Sequence, residues 1–313
     1  MKQARFYITY YSSLWLLGLV YILWGGSLFL GLPVLSGGAE TAAIHLLCAL
    51  LLVLHSSLQH EAVHGHIVAS RRWNDLLVRP ALGLLYPYDR YVTTHQQHHL
   101  TEEKGHPDHD PESFYITQDD WQRLHGTSRF FQMIYHHGGG RLLLSGLWGA
   151  FVFLRREWGL FYAGEGQVRR HWLLHLLFAV PIIGLVMASP YVTVTSYILY
   201  SVIPSLALLS VRSYIEHRSS HYSAHDTVLI EAGWLWRLLF LNNNYHVIHH
   251  DLPHLRWYQI HETFMAQKQA WLARAGDYHF SGYHVVFRRF FFSVPAWLRP
   301  PVFITKARHR DVG

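Results

Sequence analysis

Four stretches of this 313-residue chain carry no Asp, Glu, Lys or Arg and are long enough to cross a bilayer: residues 7–32, 41–58, 172–189 and 191–211. A short turn with Gly31, Pro33, Gly37 and Gly38, whose only charge is Glu40, separates the first two. Ser189-Pro190 separates the last two. The pattern predicts two helical hairpins. Lys2 and Arg5 before the first stretch resemble the start of a signal peptide. The apolar run is too long for one, so the expectation is an uncleaved anchor. Between the hairpins, residues 61–170 are polar apart from 76–86 and 142–154, which are short for crossing and are expected to lie at the membrane interface.

Charge placement orients the hairpins. With both short turns on one side, all 26 Lys and Arg fall on the other, which the positive-inside rule makes cytoplasmic. The expected architecture is all-α and integral to the membrane. Four transmembrane helices carry a cytoplasmic helical cap, in one domain over residues 1–313. Buried helices of a soluble protein would not produce this asymmetry.

Composition narrows the chemistry. Half the residues are hydrophobic and only 15% are charged, which fits a membrane protein. The net charge of +6 is scattered, with no basic run interleaved with aromatics, so anionic lipid headgroups are expected as partners and nucleic acid is not. A single cysteine, Cys48, excludes intrachain disulfides and cysteine-held metals. Any metal must be held by nitrogen and oxygen.

The 26 histidines equal Lys plus Arg in number, and ten fall in four groups: His60/His64, His95/His98/His99, His217/His221 and His246/His249/His250. His95-Gln-Gln-His98-His99 and His246-Val-Ile-His249-His250 share the form H-x-x-H-H. On a helix, residues spaced i, i+3, i+4 share one face. Each group adjoins the inner surface, where all four can converge, and imidazole is the commonest neutral metal ligand. This number of ligands implies more than one metal ion. His221 and His225 only continue the His217 segment. His66, His106, His109, His136, His137 and His254 read as structural or solvent-facing.

A competing motif overlaps the first group. His60-Glu61-Ala-Val-His64 is also H-E-x-x-H, the helix of zinc proteases with Glu61 as general base. An intramembrane zinc protease needs one further ligand and leaves most of the clustered histidines unused. A non-catalytic metal or haem carrier is a third reading.

His60-Glu-Ala-Val-His64-Gly, His95-Gln-Gln-His98-His99 and Asn244-Tyr-His246-Val-Ile-His249-His250, set across four spans, resemble the three histidine boxes of the integral-membrane fatty acid desaturase and hydroxylase superfamily. Residues 100–113, Glu216-His217-Arg218 and 251–258 are similar to bacterial members, so the resemblance covers about residues 40–260. It implies two irons held by His60, His64, His95, His98, His99, His246, His249 and His250, with His217 matching the family's extra histidine. It also implies O₂ as co-substrate and a membrane lipid or fatty acyl chain as substrate. The expected location is a bacterial inner membrane with the site facing the cytoplasm. Many relatives have a longer first box; the H-x-x-x-H here is closer to acyl-lipid, ketolase and hydrocarbon-oxidising branches. Fatty acid desaturation is the leading reading, beside hydroxylation, ketolation and decarboxylation of a lipid or hydrocarbon chain. Asn242 or Asn244 would hold a metal-bound water.

Acidic neighbours are expected to orient the imidazoles. The candidates are Glu61 and Glu216, which adjoin ligands, and Asp108, Asp110, Glu112 and Asp251. Gly164-Glu-Gly166 lacks the third glycine and preceding strand of a dinucleotide loop. Electrons are therefore expected from a separate ferredoxin, rubredoxin or cytochrome.

Overall fold

The computed structural model describes residues 11–32, 35–219 and 225–299. His221 and the beginning of the first predicted span lie outside them. The described chain is mostly helical, with four helices long and apolar enough to cross a membrane: α1 (Ser12–Phe29), α2 (Gly37–Val63), α9 (Gly166–Met187) and α10 (Val194–Ser213). Between α2 and α9 come α3 (Arg71–Val78), α4 (Tyr88–Leu100), α5 (Gln118–Arg123), α6 (Gly126–Tyr135), α7 (Gly138–Leu144) and α8 (Ala150–Tyr162). After α10 follow α11 (Trp234–Leu239), α12 (His246–Asp251), α13 (Trp257–Ala266), α14 (Lys268–Ala275) and α15 (Tyr283–Phe290). Leu229–Ile230 and His279–Phe280 form a two-stranded parallel pair, with Leu229 opposite His279 and Ile230 opposite Phe280.

The outward faces of the long helices are apolar. Ile22, Leu173, Leu177, Val180 and Met187 are largely exposed, as side chains bathed in lipid can be. Several inward polar groups are paired, as a water-free layer favours. Trp24 Nε1 donates to Tyr197 Oη, which donates to Leu82 O. His45 Nδ1 lies 2.9 Å from Ser201 Oγ.

Two boundaries differ most from the sequence reading. The second span, expected to end at residue 58, continues as helix to Val63; the third begins at Gly166, not 172. In both cases polar residues extend a helix whose apolar part alone was legible. At 27 residues, α2 is about 40 Å long, more than the ~30 Å hydrocarbon layer. Its last turns can thus project beyond the layer with the first histidine pair. The 142–154 stretch is not a single surface segment. It runs from α7 through a π-helical turn (Ser145–Gly149) into α8, and that turn borders a cavity.

The turn between α1 and α2 depends on Gly31. Its φ is +66°, and an added Cβ would stand inside contact distance of Glu40 Oε1 and the Tyr191 ring. Glu40, the turn's only charge, accepts from Leu32 N at 2.9 Å. Ser189 Oγ donates to Leu28 O, tying the second hairpin's turn to the first. Gly31→Ala should therefore destabilise the hairpin contact by about 1–3 kcal/mol. Thermal unfolding in detergent reads this; a midpoint within a degree of the parent's would refute it.

Candidate metal centre

The nine predicted ligands come from four segments. The end of α2 gives His60 and His64, α4 gives His95, His98 and His99, and α12 gives His246, His249 and His250. His217 follows α10 and is fixed by an antiparallel bridge to Thr227. Val247 N donates to Val228 O, and Ile230 N to Asn244 O, so the strand pair seats α12.

The fold sorts these side chains into two groups. His98, His217, His246 and His250 form one, and His60, His64, His95 and His249 the other; within each, the ligand atoms lie within 4.8 Å of one another. In the first named, the Nε2 atoms make a closed ring. The distances are 3.0 Å from His98 to His217, 3.0 Å from His217 to His246, 3.2 Å from His246 to His250 and 3.3 Å from His250 to His98. Four atoms so spaced have a common centre about 2 Å away, the metal–imidazole distance. In the other group His64 and His95 Nε2 are 3.3 Å apart. His99 adjoins that group, 3.1 Å from both His95 and His249 Nε2, and its ring stacks on His250 at 4.3 Å. It thus stands between the two groups. His60 Nε2 is buried without a hydrogen-bond partner among the described residues, while its ring packs 4.5 Å from His249 and 4.6 Å from His95.

Hydrogen bonds at Nδ1 explain why the Nε2 atoms converge. His98 Nδ1 donates to Asp110 Oδ1 at 2.9 Å, His95 Nδ1 to Glu112 at 3.1 Å and His246 Nδ1 to Asn243 Oδ1 at 3.0 Å. His217 Nδ1 lies 3.3 Å from Thr227 Oγ1. A neutral ring that donates from Nδ1 carries its lone pair on Nε2. Lone pairs about 3 Å apart repel unless a cation lies between them, so the donor set fits metal ions. It is all nitrogen, with carboxylates behind two of the rings, a set suited to iron or zinc.

Two expected orienting groups, Asp110 and Glu112, reach ligand rings. Glu61 does not: it bonds His66 Nδ1 at 3.0 Å and accepts from Trp257 N. It therefore ties the end of α2 to α13, and its engagement in that contact speaks against a free general base. Glu216 sits 3.8 Å from His246 Nδ1, accepts from Asn243 Nδ2 and pairs with Arg212, so it reaches His246 chiefly through Asn243. Asp108 is exposed, and Asp251 pairs with Arg274 on the surface. Asn242 Nδ2 donates to Trp257 O and Asn244 Nδ2 donates to Ile230 O, while Asn244 Oδ1 is buried without a hydrogen-bond partner among the described residues. Asn243, which sequence reasoning passed over, is the asparagine at the site. Its position three residues before His246 was the available signal. Glu103, His106 and His109 form a separate group on the loop after α4, with the Glu103 carboxylate already paired to His109.

Burial and mutual repulsion hold most of the clustered imidazoles neutral. Burial first, then neighbouring histidines, push His64 down to about 2 and His99 to about 3. The same causes put His217, His246, His249 and His250 well below the usual range. Burial also acts to lower His98, but Asp110 and the nearby carboxylates outweigh it and raise it. Glu112 is held at about 2, because His95 outweighs the effect of burial. For chelator-stripped protein the sign follows from the depressed majority. Below about pH 6.5 the unfolded chain takes up protons that these folded imidazoles refuse. Their contribution to stability is full above that pH and is lost as pH falls toward 3. The unfolding midpoint of stripped protein should drop between pH 7 and 5, and metal should oppose the drop. A midpoint rising on acidification would contradict the depressed set.

A cavity of roughly 380 Å³ runs beside the centre. Leu52, Leu206 and Leu209 line its apolar part, and Tyr91, Thr94, Glu112, Arg212 and Gln59 lie nearer the histidines. Tyr91 packs on the His95 ring at 5.2 Å. A separate, shallower opening between Val63, Gln96, Leu100 and Pro253 bares His64 and His99.

No curated protein matches the chain. The model of a family described as fatty acid desaturase matches residues 39–283, a segment holding all nine predicted ligands.

Proposed function

The chain belongs to the fatty acid desaturase family, and from that premise and the two histidine groups we propose an O₂-dependent di-iron desaturase of an acyl chain. Membership makes it an oxidoreductase of the desaturase and hydroxylase type. The reaction, the metal and the ligand set are the proposal. His60, His64, His95, His99 and His249 would hold one iron, and His98, His217, His246 and His250 the other. Irons bound there would activate O₂ to an oxidant able to take hydrogen from an unactivated alkyl chain, which no side chain can do alone.

The observation that carries the reading is the pair of tetrads whose donor atoms lie within 4.8 Å of one another, set beside a largely apolar cavity. Asp110, Glu112 and Asn243 fix the rings. The cavity walls would keep the chain in one orientation and shut out water, and orientation decides which carbon reacts. By the positive-inside rule the centre faces the cytoplasm. A separate ferredoxin, rubredoxin or cytochrome would deliver electrons, and the opening over His64 and His99 offers the nearest approach. Purified protein should carry two irons per chain, and lipids of an expressing host should gain a double bond. One zinc and no altered lipid would favour the protease reading instead. A new alcohol or ketone would keep the metal centre but move the chain to the oxygen-inserting branch.

A further inference from the structure

Among the buried imidazoles outside the metal groups, one lines the cavity: His55. It is 3% exposed and sits on α2 five residues before His60. Tyr21 Oη donates to Leu77 O at 2.6 Å. A carbonyl only accepts, so this bond uses the hydroxyl's one proton. The contact between Tyr21 Oη and His55 Nε2, at 3.2 Å, therefore has His55 Nε2–H as donor. With no carboxylate among its contacts the buried ring is neutral, and its lone pair is on Nδ1. The one side-chain hydrogen bond of His55 found among the described residues is at Nε2, and the residue lines the cavity. Ser56, the next residue on α2, also lines the cavity.

A bare alkyl chain would cover this acceptor and leave it unsatisfied. Resting on the acyl-chain reading above, we propose that the cavity selects a chain carrying a hydroxyl, or another O–H or N–H donor, within its apolar run, and that His55 Nδ1 receives it. The tautomer is set from outside the cavity by Tyr21 and Leu77, so the acceptor is in place before the chain enters. His55 lies about 7.5 Å along α2 from His60, so the polar group is held away from the reacting carbon. It acts as a ruler: remote binding fixes which carbon meets the metals.

The test compares stearic acid with its positional monohydroxystearic acids, using metal-loaded protein in nanodiscs. Binding is read by displacement of a radiolabelled chain, which needs no turnover. At least one isomer should bind roughly tenfold more tightly than stearic acid, because the unmodified chain strands a buried acceptor. His55→Phe should abolish the preference while stearic acid still binds. His55→Asn, whose carbonyl oxygen can take the place of Nδ1, should restore part of it. Equal binding of all chains by the parent protein overturns the inference and leaves the acyl-chain reading standing. A preference that survives His55→Phe does the same. Failure of every chain to bind overturns both. The parent comparison decides even if the Phe variant does not fold.

Discussion

His98→Ala is expected to lower the metal content from two ions per chain to one and to reduce lipid oxidation to background. His98 contributes two edges of the four-nitrogen ring, 3.0 Å to His217 and 3.3 Å to His250. Removing it leaves three imidazoles and an open side. It also leaves Asp110, which is 3% exposed, without the ring it orients. His249→Ala should have the same consequence in the other group, where His249 lies 3.1 Å from His99 and packs against His60. Each variant should keep one metal, because the tetrads share no ligand. Elemental analysis with single-turnover oxidation separates the two losses. His254→Ala, at an exposed position, controls for removal of an imidazole as such. Two metals and normal turnover in both ligand variants would end the dimetal reading. Loss of both metals from either variant would mean that the groups act as one cooperative site.

The histidine groups were legible because their signal is local. His60 and His64, or His246, His249 and His250, share a helical face whatever the rest of the chain does. The spans were legible for a similar reason, since length and lack of charge need no partner. What sets the rings in place is not local. Asp110 and Glu112 lie twelve and seventeen residues from the histidines they hold, on a loop with no periodicity to read. Glu61 looked better placed because it adjoins His60 in sequence, yet neighbours on a helix point about 100° apart, and its carboxylate turns to His66 and Trp257. Asn243 was passed over for Asn242 and Asn244 because three consecutive asparagines cannot be ranked without the backbone. Positive φ angles at Leu241 and Asn242 set that turn and send the middle side chain to His246. The cavity was invisible for the same reason. Its walls come from α2, α4, α8, α10 and the connections between them, and only folding places His55 beside Leu206 and Tyr91.

Asp110→Asn should cost more than the loss of one hydrogen bond. One carboxylate oxygen of Asp110 takes the His98 Nδ1 proton at 2.9 Å and also accepts from Glu112 N at 3.0 Å; the other accepts from Gly105 N at 2.7 Å. The side chain therefore orients a ligand and pins the loop that carries Glu112 to His95. An amide can keep only one of those two faces as an acceptor. If its oxygen stays on His98, its NH₂ meets the Gly105 N–H; if it turns, the NH₂ meets His98 Nδ1–H and drives the ring to the other tautomer, with a proton on Nε2 where a metal would bind. Either outcome leaves donor against donor in a buried place. Metal affinity at the ring of His98, His217, His246 and His250 should fall about 10–100-fold. A smaller loss should appear at the other group through Glu112. Glu112→Gln should reverse the order, weakening the group of His95 first and sparing His98, because Glu112 reaches only His95. Competitive chelator titration of the two variants resolves two binding steps. The reading requires that opposite steps move most in the two proteins. If both variants weaken the same step, the carboxylates act on the loop alone, and the assignment of one orienting carboxylate to each histidine group is lost.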